Sequence, residues 1–228
     1  MFVIPAINEV KFSGVLKKIG IAETFSPWVH LDIVDGKFAP NITWNNPEEF
    51  IKFLEVRPPE INVNIRRSNL PNIEVHLMVE NPEAVIKDWV KAGAKRIIVH
   101  LEALNMGKSD LQKLRNIREV GLPKFEIGLA INPETPIEKI APYLDRVKFV
   151  QMLAVKPGLA GQQFDKRILE KIKFLKKHHP DVMIEVDGGI NLETAKLAKE
   201  AGADIIVSAS YIWGSQNPQK AYQELASI

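Results

Sequence analysis

Four residues embedded in apolar runs have the types and spacing to do chemistry: His30, Asp32, His76 and Asp187. His30 and Asp32 lie near the end of WVHLDIV. They are two residues apart, which places both side chains on one face of a strand. His76 falls late in IEVHLMV, and Asp187 closes MIEVD just before Gly188-Gly189. Two imidazoles and two carboxylates converging from three strand ends suit one divalent cation, with Zn, Fe(II), Mn and Co all compatible with the donors. The chain contains no cysteine, so thiolate ligands, disulfides and a Cys nucleophile are excluded. Paired carboxylates also suit proton transfer, one removing a proton from one face of a carbon and the other delivering one to the opposite face. A cation on the neighbouring oxygens would stabilise the enediolate formed between the two steps. That is the chemistry of epimerisation beside a ketone. Taken singly, each residue reads more simply as a hydrogen-bonded structural group; four at one end of a common scaffold favour a site.

The scaffold follows from the elements between them. Eight short β-rich apolar runs are spaced along the chain: Phe2 to Ile7, Trp28 to Val34, Ile73 to Val79, Arg96 to Leu101, Phe125 to Ile131, Val147 to Val155, Met183 to Asp187 and Asp204 to Ala209. Several are nearly continuous in hydrophobics, as parallel strands buried on both faces require. Helical patterns occupy the gaps. Asn81-Pro82-Glu83 predicts a helix start running to Ala92 and stopping at Gly93. Asn191 to Ala201, with Gly202 after it, repeats that design. Asp165 is expected to cap a helix carrying Ile168, Leu169, Ile172 and Leu175 on one stripe. ENPEAVIKDWVKAGAKRIIV also echoes INLETAKLAKEAGADIIV, half a barrel apart. Eight βα units in 228 residues predict an α/β fold, a (β/α)8 TIM barrel forming a single catalytic domain over residues 1–228. Glu55 to Asn72 reads as an extended connection.

The loops point to an anion. Gly158-Leu159-Ala160-Gly161-Gln162 follows the sixth run, Gly188-Gly189 the seventh and Ala209-Ser210 the eighth. Small residues let backbone N–H groups approach a phosphate, and the loops after strands seven and eight form the usual phosphate site of such barrels. A net charge of +2 gives no reason to expect nucleic acid. The lysines of residues 166–179 surround an apolar stripe and read as a solvated helix face. The four Trp form no stacking platform, and Arg66 and Arg67 read as surface residues. No run reaches the apolar length of a membrane span, and the start of the chain enters a strand directly, so a cytoplasmic protein without a membrane partner is expected.

On VHLDIVDGKFAPNITW, EVHLMVENPE, VHLEA, GLAINPETP, VKPGLAGQQF, VDGGIN and AGADIIVSAS, the chain resembles the ribulose-phosphate 3-epimerase family over most of its length. The resemblance implies that His30, Asp32, His76 and Asp187 bind one metal and that Asp32 and Asp187 are the acid/base pair. It implies substrate or phosphate contacts at Ala6, His76, Met78, Gly158, Gly161, Gly188, Gly189, Ala209 and Ser210. The implied substrate is a phosphorylated ketose, with D-ribulose 5-phosphate and D-xylulose 5-phosphate interconverted, and the implied assembly is a homo-oligomer.

Departures from the family pattern keep other readings open. Ala6 stands where the family has a Ser, Val34 and Leu153 stand at Met positions, and Ala209 replaces a Gly. Met152, next to Leu153, leaves that alignment open. The alternatives are 3-epimerisation of a phosphorylated hexulose such as allulose 6-phosphate, or a barrel that binds a sugar phosphate without turnover. The related hexulose-phosphate synthases and decarboxylases carry an Asp-x-Lys-x-x-Asp strand; Asp32-Ile33-Val34-Asp35 has no Lys. His100 and Glu102 are expected to stabilise the rim, and Asp35 to serve a loop or cap.

Overall fold

The computed structural model describes residues 1–56, 70–104 and 124–228. Eight parallel strands close into a barrel in sequence order, with β8 pairing back onto β1. They are β1 (Phe2–Ile7), β2 (Trp28–Val34), β3 (Asn72–Met78), β4 (Ala94–His100), β5 (Glu126–Ile131), β6 (Phe149–Leu153), β7 (Met183–Asp187) and β8 (Ile205–Ser208). The described helices are α1 (Phe12–Ala22), α2 (Pro47–Val56), α3 (Ile86–Lys91), α4 (Ile168–His178), α5 (Leu192–Ala201), α6 (Ser210–Trp213) and α7 (Pro218–Ala226). The expected (β/α)8 barrel is what forms. The extended connection and its Arg66 and Arg67 lie largely or wholly outside the described residues.

Each strand is buried on both faces, which is why the runs look apolar throughout. One face packs under the helices in the large outer core. The other fills the barrel interior, where Ile4, Ala6, Ile98, Ala130, Phe149, Ile205 and Val207 cluster. The interior is not wholly apolar. His30, Glu74, Arg96, Gln151 and Glu185 form a buried polar layer across it. Arg96 holds this layer together. Its Nη1 donates to Glu74 Oε2 at 2.5 Å, its Nε donates to Glu126 Oε2 at 2.7 Å, and its guanidinium lies 3.8 Å from the Phe149 ring centroid.

The helix starts divide. Asn191 caps α5 as expected, its side chain accepting from the Glu193 and Thr194 N–H groups while the Thr194 hydroxyl reaches back. Gly202 and Gly93 end α5 and α3 with φ of 109° and 102°, the left-handed conformation a C-terminal glycine supplies. Asn81 does not cap a helix. Pro82–Ala84 forms a separate 3-10 turn, and α3 begins only after Val85, whose N–H bonds back to Pro82 O. Asp165 stands three residues before the first residue of α4 and binds the Arg167 N–H and guanidinium instead of capping the first helical turn. The stripe under α4 is Ile168, Ile172 and Leu175, with Leu169 partly buried against the same core.

Candidate active site

The register of neighbouring strands builds the site. Asp32 of β2 pairs with His76 of β3, and Leu153 of β6 pairs with Asp187 of β7. Residues paired this way point to the same side of a parallel sheet. His30, two before Asp32, therefore shares its face. All four expected ligands meet at the C-terminal end of the barrel, one donor atom from each lying within 4.8 Å of all the others. His30 Nε2 is 3.3 Å from Asp32 Oδ1 and 3.8 Å from Asp187 Oδ2. His76 Nδ1 is 3.3 Å from Asp32 Oδ1 and 3.4 Å from Asp187 Oδ2.

These donors fit a cation. His30 Nε2, Asp32 Oδ1 and His76 Nδ1 are buried without a hydrogen-bond partner, although they face one another. Buried polar atoms left in this state are costly, so three aimed at one point call for a further group there. Electrostatics agree. Burial opposes charge on His30, yet the neighbouring carboxylates of Asp32 and Glu74 outweigh it and raise its pKa well above the usual value. The His76 pKa rises for the same kind of reason, through Asp187 and Asp32. Asp32 is held below the ordinary carboxylate range by both imidazoles in spite of its burial. The centre thus favours positive charge.

Further polar groups hold the four in place. His30 Nδ1 lies 2.6 Å from Glu74 Oε1, so an imidazole bound to a cation through Nε2 donates its other N–H to Glu74. Asn8 Nδ2 donates to Asp32 Oδ2 at 3.3 Å and to Gly158 O at 2.9 Å. Gln151 Nε2 donates to Glu185 Oε1 at 3.1 Å and to Asp187 Oδ2 at 3.4 Å. Burial, with Glu74 nearby, raises the Glu185 pKa well above the usual value. His76 Nε2 lies 2.8 Å from His100 Nε2. Burial and the neighbouring His76 push the His100 imidazole down to about 4, against the pull of Glu102.

A cleft partly open to solvent lies above the four residues. Asp32 and Asp187 line it, each 8% exposed, whereas His30 and His76 are fully buried behind them. The carboxylates are therefore the face that a bound molecule meets. Met78, Gly158, Gly161, Gly188, Gly189, Ala209 and Ser210 line the same cleft, as do Asn8 and Leu153. Ala6 does not; it packs inside the barrel with Ile98, Ala130 and Phe149. Leu153, and not Met152, faces the cleft, because Met152 points into the outer core. Val34 packs with Met78 and Ala39. Asp35 points away, accepting from the N–H groups of Lys37, Phe38 and Glu80. Sequence reading missed Glu74 and Glu185. Each stands two residues before a ligand on its own strand, and that spacing was the available signal.

A closed parallel barrel with such a cluster at the C-terminal ends of its strands has the layout of a (β/α)8 enzyme. The model of the ribulose-phosphate 3 epimerase family matches residues 3–213. Ribulose-phosphate 3-epimerase from Chlamydia muridarum is 38% identical over 199 residues, covering 85% of this chain and 79% of that one. The enzyme of the same name from Bacillus subtilis is 34% identical over 229 residues, covering 98% and 97%. The chain belongs to the ribulose-phosphate 3-epimerase family and is an isomerase, a carbohydrate epimerase. A barrel without turnover is thereby set aside. Solved structures sharing the fold include orotidine 5'-phosphate decarboxylase from Pyrococcus horikoshii, with a TM-score of 0.63, 15% identity and all of both chains covered. KGPDC from Streptococcus mutans aligns with a TM-score of 0.65 and 12% identity, over 99% of this chain and 95% of that one. Among the described residues, no helix is long and apolar enough to cross a membrane.

Proposed function

We propose that the protein is a metal-dependent 3-epimerase interconverting D-ribulose 5-phosphate and D-xylulose 5-phosphate. The observation that carries this reading is the convergence of His30, Asp32, His76 and Asp187 with three buried donor atoms unpartnered. These four would hold one divalent ion; Zn, Fe(II), Mn and Co suit the donors. Such an ion supplies positive charge to offset the negative charge of an enediolate. The two carboxylates that line the cleft move the C3 proton, one taking it from one face and the other returning it to the opposite face. Asn8 and Gln151 hold those carboxylates at the cleft wall. The phosphate sits against Gly158, Gly161, Gly188, Gly189, Ala209 and Ser210, where small residues and the start of the short helix α6 bring backbone close.

Residues 1–228 act as one catalytic domain in this reading, in the cytoplasm and as a homo-oligomer. The similarity to family members over nearly the whole chain supports it, as does the rice relative, whose name specifies a cytoplasmic isoform. The test is epimerase activity on D-ribulose 5-phosphate with and without chelator, alongside exchange of the C3 hydrogen with solvent. Asp32→Asn and Asp187→Asn should each lower exchange at least 100-fold, from the typical worth of a positioned acid or base (about 10²–10⁴-fold). Undiminished exchange in both variants would overturn the assignment. The second reading, a phosphorylated hexulose such as allulose 6-phosphate, is motivated by Ala6, Val34 and Leu153 standing at positions where the family has Ser or Met, and of these Leu153 lines the cleft. The ratio of kcat/KM on the two sugars decides between them.

A further inference from the structure

We propose that His100 and Glu102 form a positioning relay that fixes the tautomer and tilt of His76 and so sets the affinity of the centre for its ion. This rests on the metal-binding reading above. His76 Nδ1 is the nitrogen facing Asp32 and Asp187, at 3.3 and 3.4 Å. To ligate, that nitrogen must offer its lone pair, so the ring proton belongs on Nε2. Nε2 lies 2.8 Å from His100 Nε2, which must then accept. The His100 proton is accordingly on Nδ1, and Nδ1 lies 3.2 Å from Glu102 Oε2, an acceptor. The other oxygen, Glu102 Oε1, accepts from the Asn132 N–H at 2.8 Å and from the Thr135 hydroxyl.

Each proton in this chain has one place to go. Turning either ring to its other tautomer sets a lone pair against a lone pair or removes the donor from Glu102. The run of bonds passes from the centre, through two fully buried rings, to a turn that is partly exposed. The rings are held as well: His76 and His100 lie nearly coplanar, 4.9 Å between centroids with 22° between planes, as a bond between ring nitrogens requires, and Phe38 packs 4.7 Å from His100. The last anchor comes from the segment after β5, so residues remote from the centre constrain a ligand of β3. A carboxylate behind a ligating imidazole is a known way to raise its basicity and fix its orientation. Here a second imidazole is placed between the two.

The test measures metal affinity of the protein stripped by chelation, by competition for Zn²⁺ or Co²⁺ against a chromophoric chelator. His100→Leu should weaken binding about 10–100-fold, the usual effect of losing such a partner. His100→Gln, which restores an acceptor oxygen, should recover most of the loss. Glu102→Ala lies at the partly exposed turn and carries the test if His100→Leu does not fold; its affinity should fall about 10-fold. The thermal stability of each metal-free variant separates this from a packing role, because a purely structural His100 would lower stability and leave affinity unchanged. Unchanged affinity in His100→Leu and Glu102→Ala, or no recovery in His100→Gln, would overturn the relay alone. A wild-type protein that binds neither ion would overturn the metal reading and the relay with it.

Discussion

Gly189 tests how tightly the loop after β7 is built. Its φ is +65°, a conformation that costs a residue with a Cβ about 1 kcal/mol or more. A Cβ at this position would also lie 2.6 Å from Phe164 N and 2.7 Å from Phe164 Cα. Those are backbone atoms of a buried residue, so no rotamer change relieves the overlap. Displacing them is an overpacking cost of about 1–3 kcal/mol. Gly161 is the matched control: its φ is +81°, and a Cβ there meets nothing within 4 Å. Gly161→Ala should therefore cost about 1 kcal/mol and Gly189→Ala about 2–4 kcal/mol. At about 2–4 °C per kcal/mol for a chain of this size, the expected Tm losses are about 3 °C and about 9 °C. Differential scanning calorimetry of the metal-free proteins reads both. Because Gly189 lines the cleft, its variant should also raise KM for the phosphorylated sugar. Equal Tm losses in the two variants would refute the close-approach argument and leave backbone conformation as the whole effect.

Two further outcomes follow from the polar groups. Arg96→Met leaves Glu74 buried with His30 as its remaining charge partner among the described residues, and urea denaturation should show a loss of about 3–5 kcal/mol. Glu74→Gln added to Arg96→Met should recover part of that, and a single-variant loss below about 1 kcal/mol would contradict the pairing. Burial opposes ionisation of Asp35, but three backbone N–H groups outweigh it and lower its pKa. Its contribution is full above the unfolded value of about 3.9 and is lost as pH falls through the lower folded value. The stability gap between wild type and Asp35→Asn should thus shrink on acidification, and a gap unchanged from about pH 7 to below about pH 3 would contradict this.

The barrel could be read from sequence because its strands are apolar on both faces and its helices carry stripes. The strands β1, β2 and β7 match their expected ranges; the other ends shift by a residue or two, the sheet starting before the apolar run in β3 and β4 and stopping short of it elsewhere. The four proposed ligands could be read because each is a polar residue near the end of such a run. Their support could not. Gln151 and Arg96 are polar residues in mid-strand, and only the register of neighbouring strands shows that one reaches Asp187 and the other Glu74. His100 and Glu102 were expected at the rim, which is correct for the backbone; the link to His76 depends on ring planes that residue spacing does not encode. Ala6 aligned with a substrate position yet faces the interior cluster, since β1 places Asn8, not Ala6, at the cleft. Asn81-Pro82 had the composition of a helix start, but the chain makes a 3-10 turn first and breaks at Val85.

The proposed ligands come from β2 and β3 on one side and from β7 on the other, strands in opposite halves of the chain. An ion held by all four would cross-link parts of the barrel that unfolding has to separate. The effect would fall on rates. An interaction that forms only once the barrel has closed slows unfolding and leaves folding almost unaffected. Free metal should therefore lengthen the lifetime of the folded protein, and amide exchange in β2 and β7 should slow together although the two strands are not paired in the sheet.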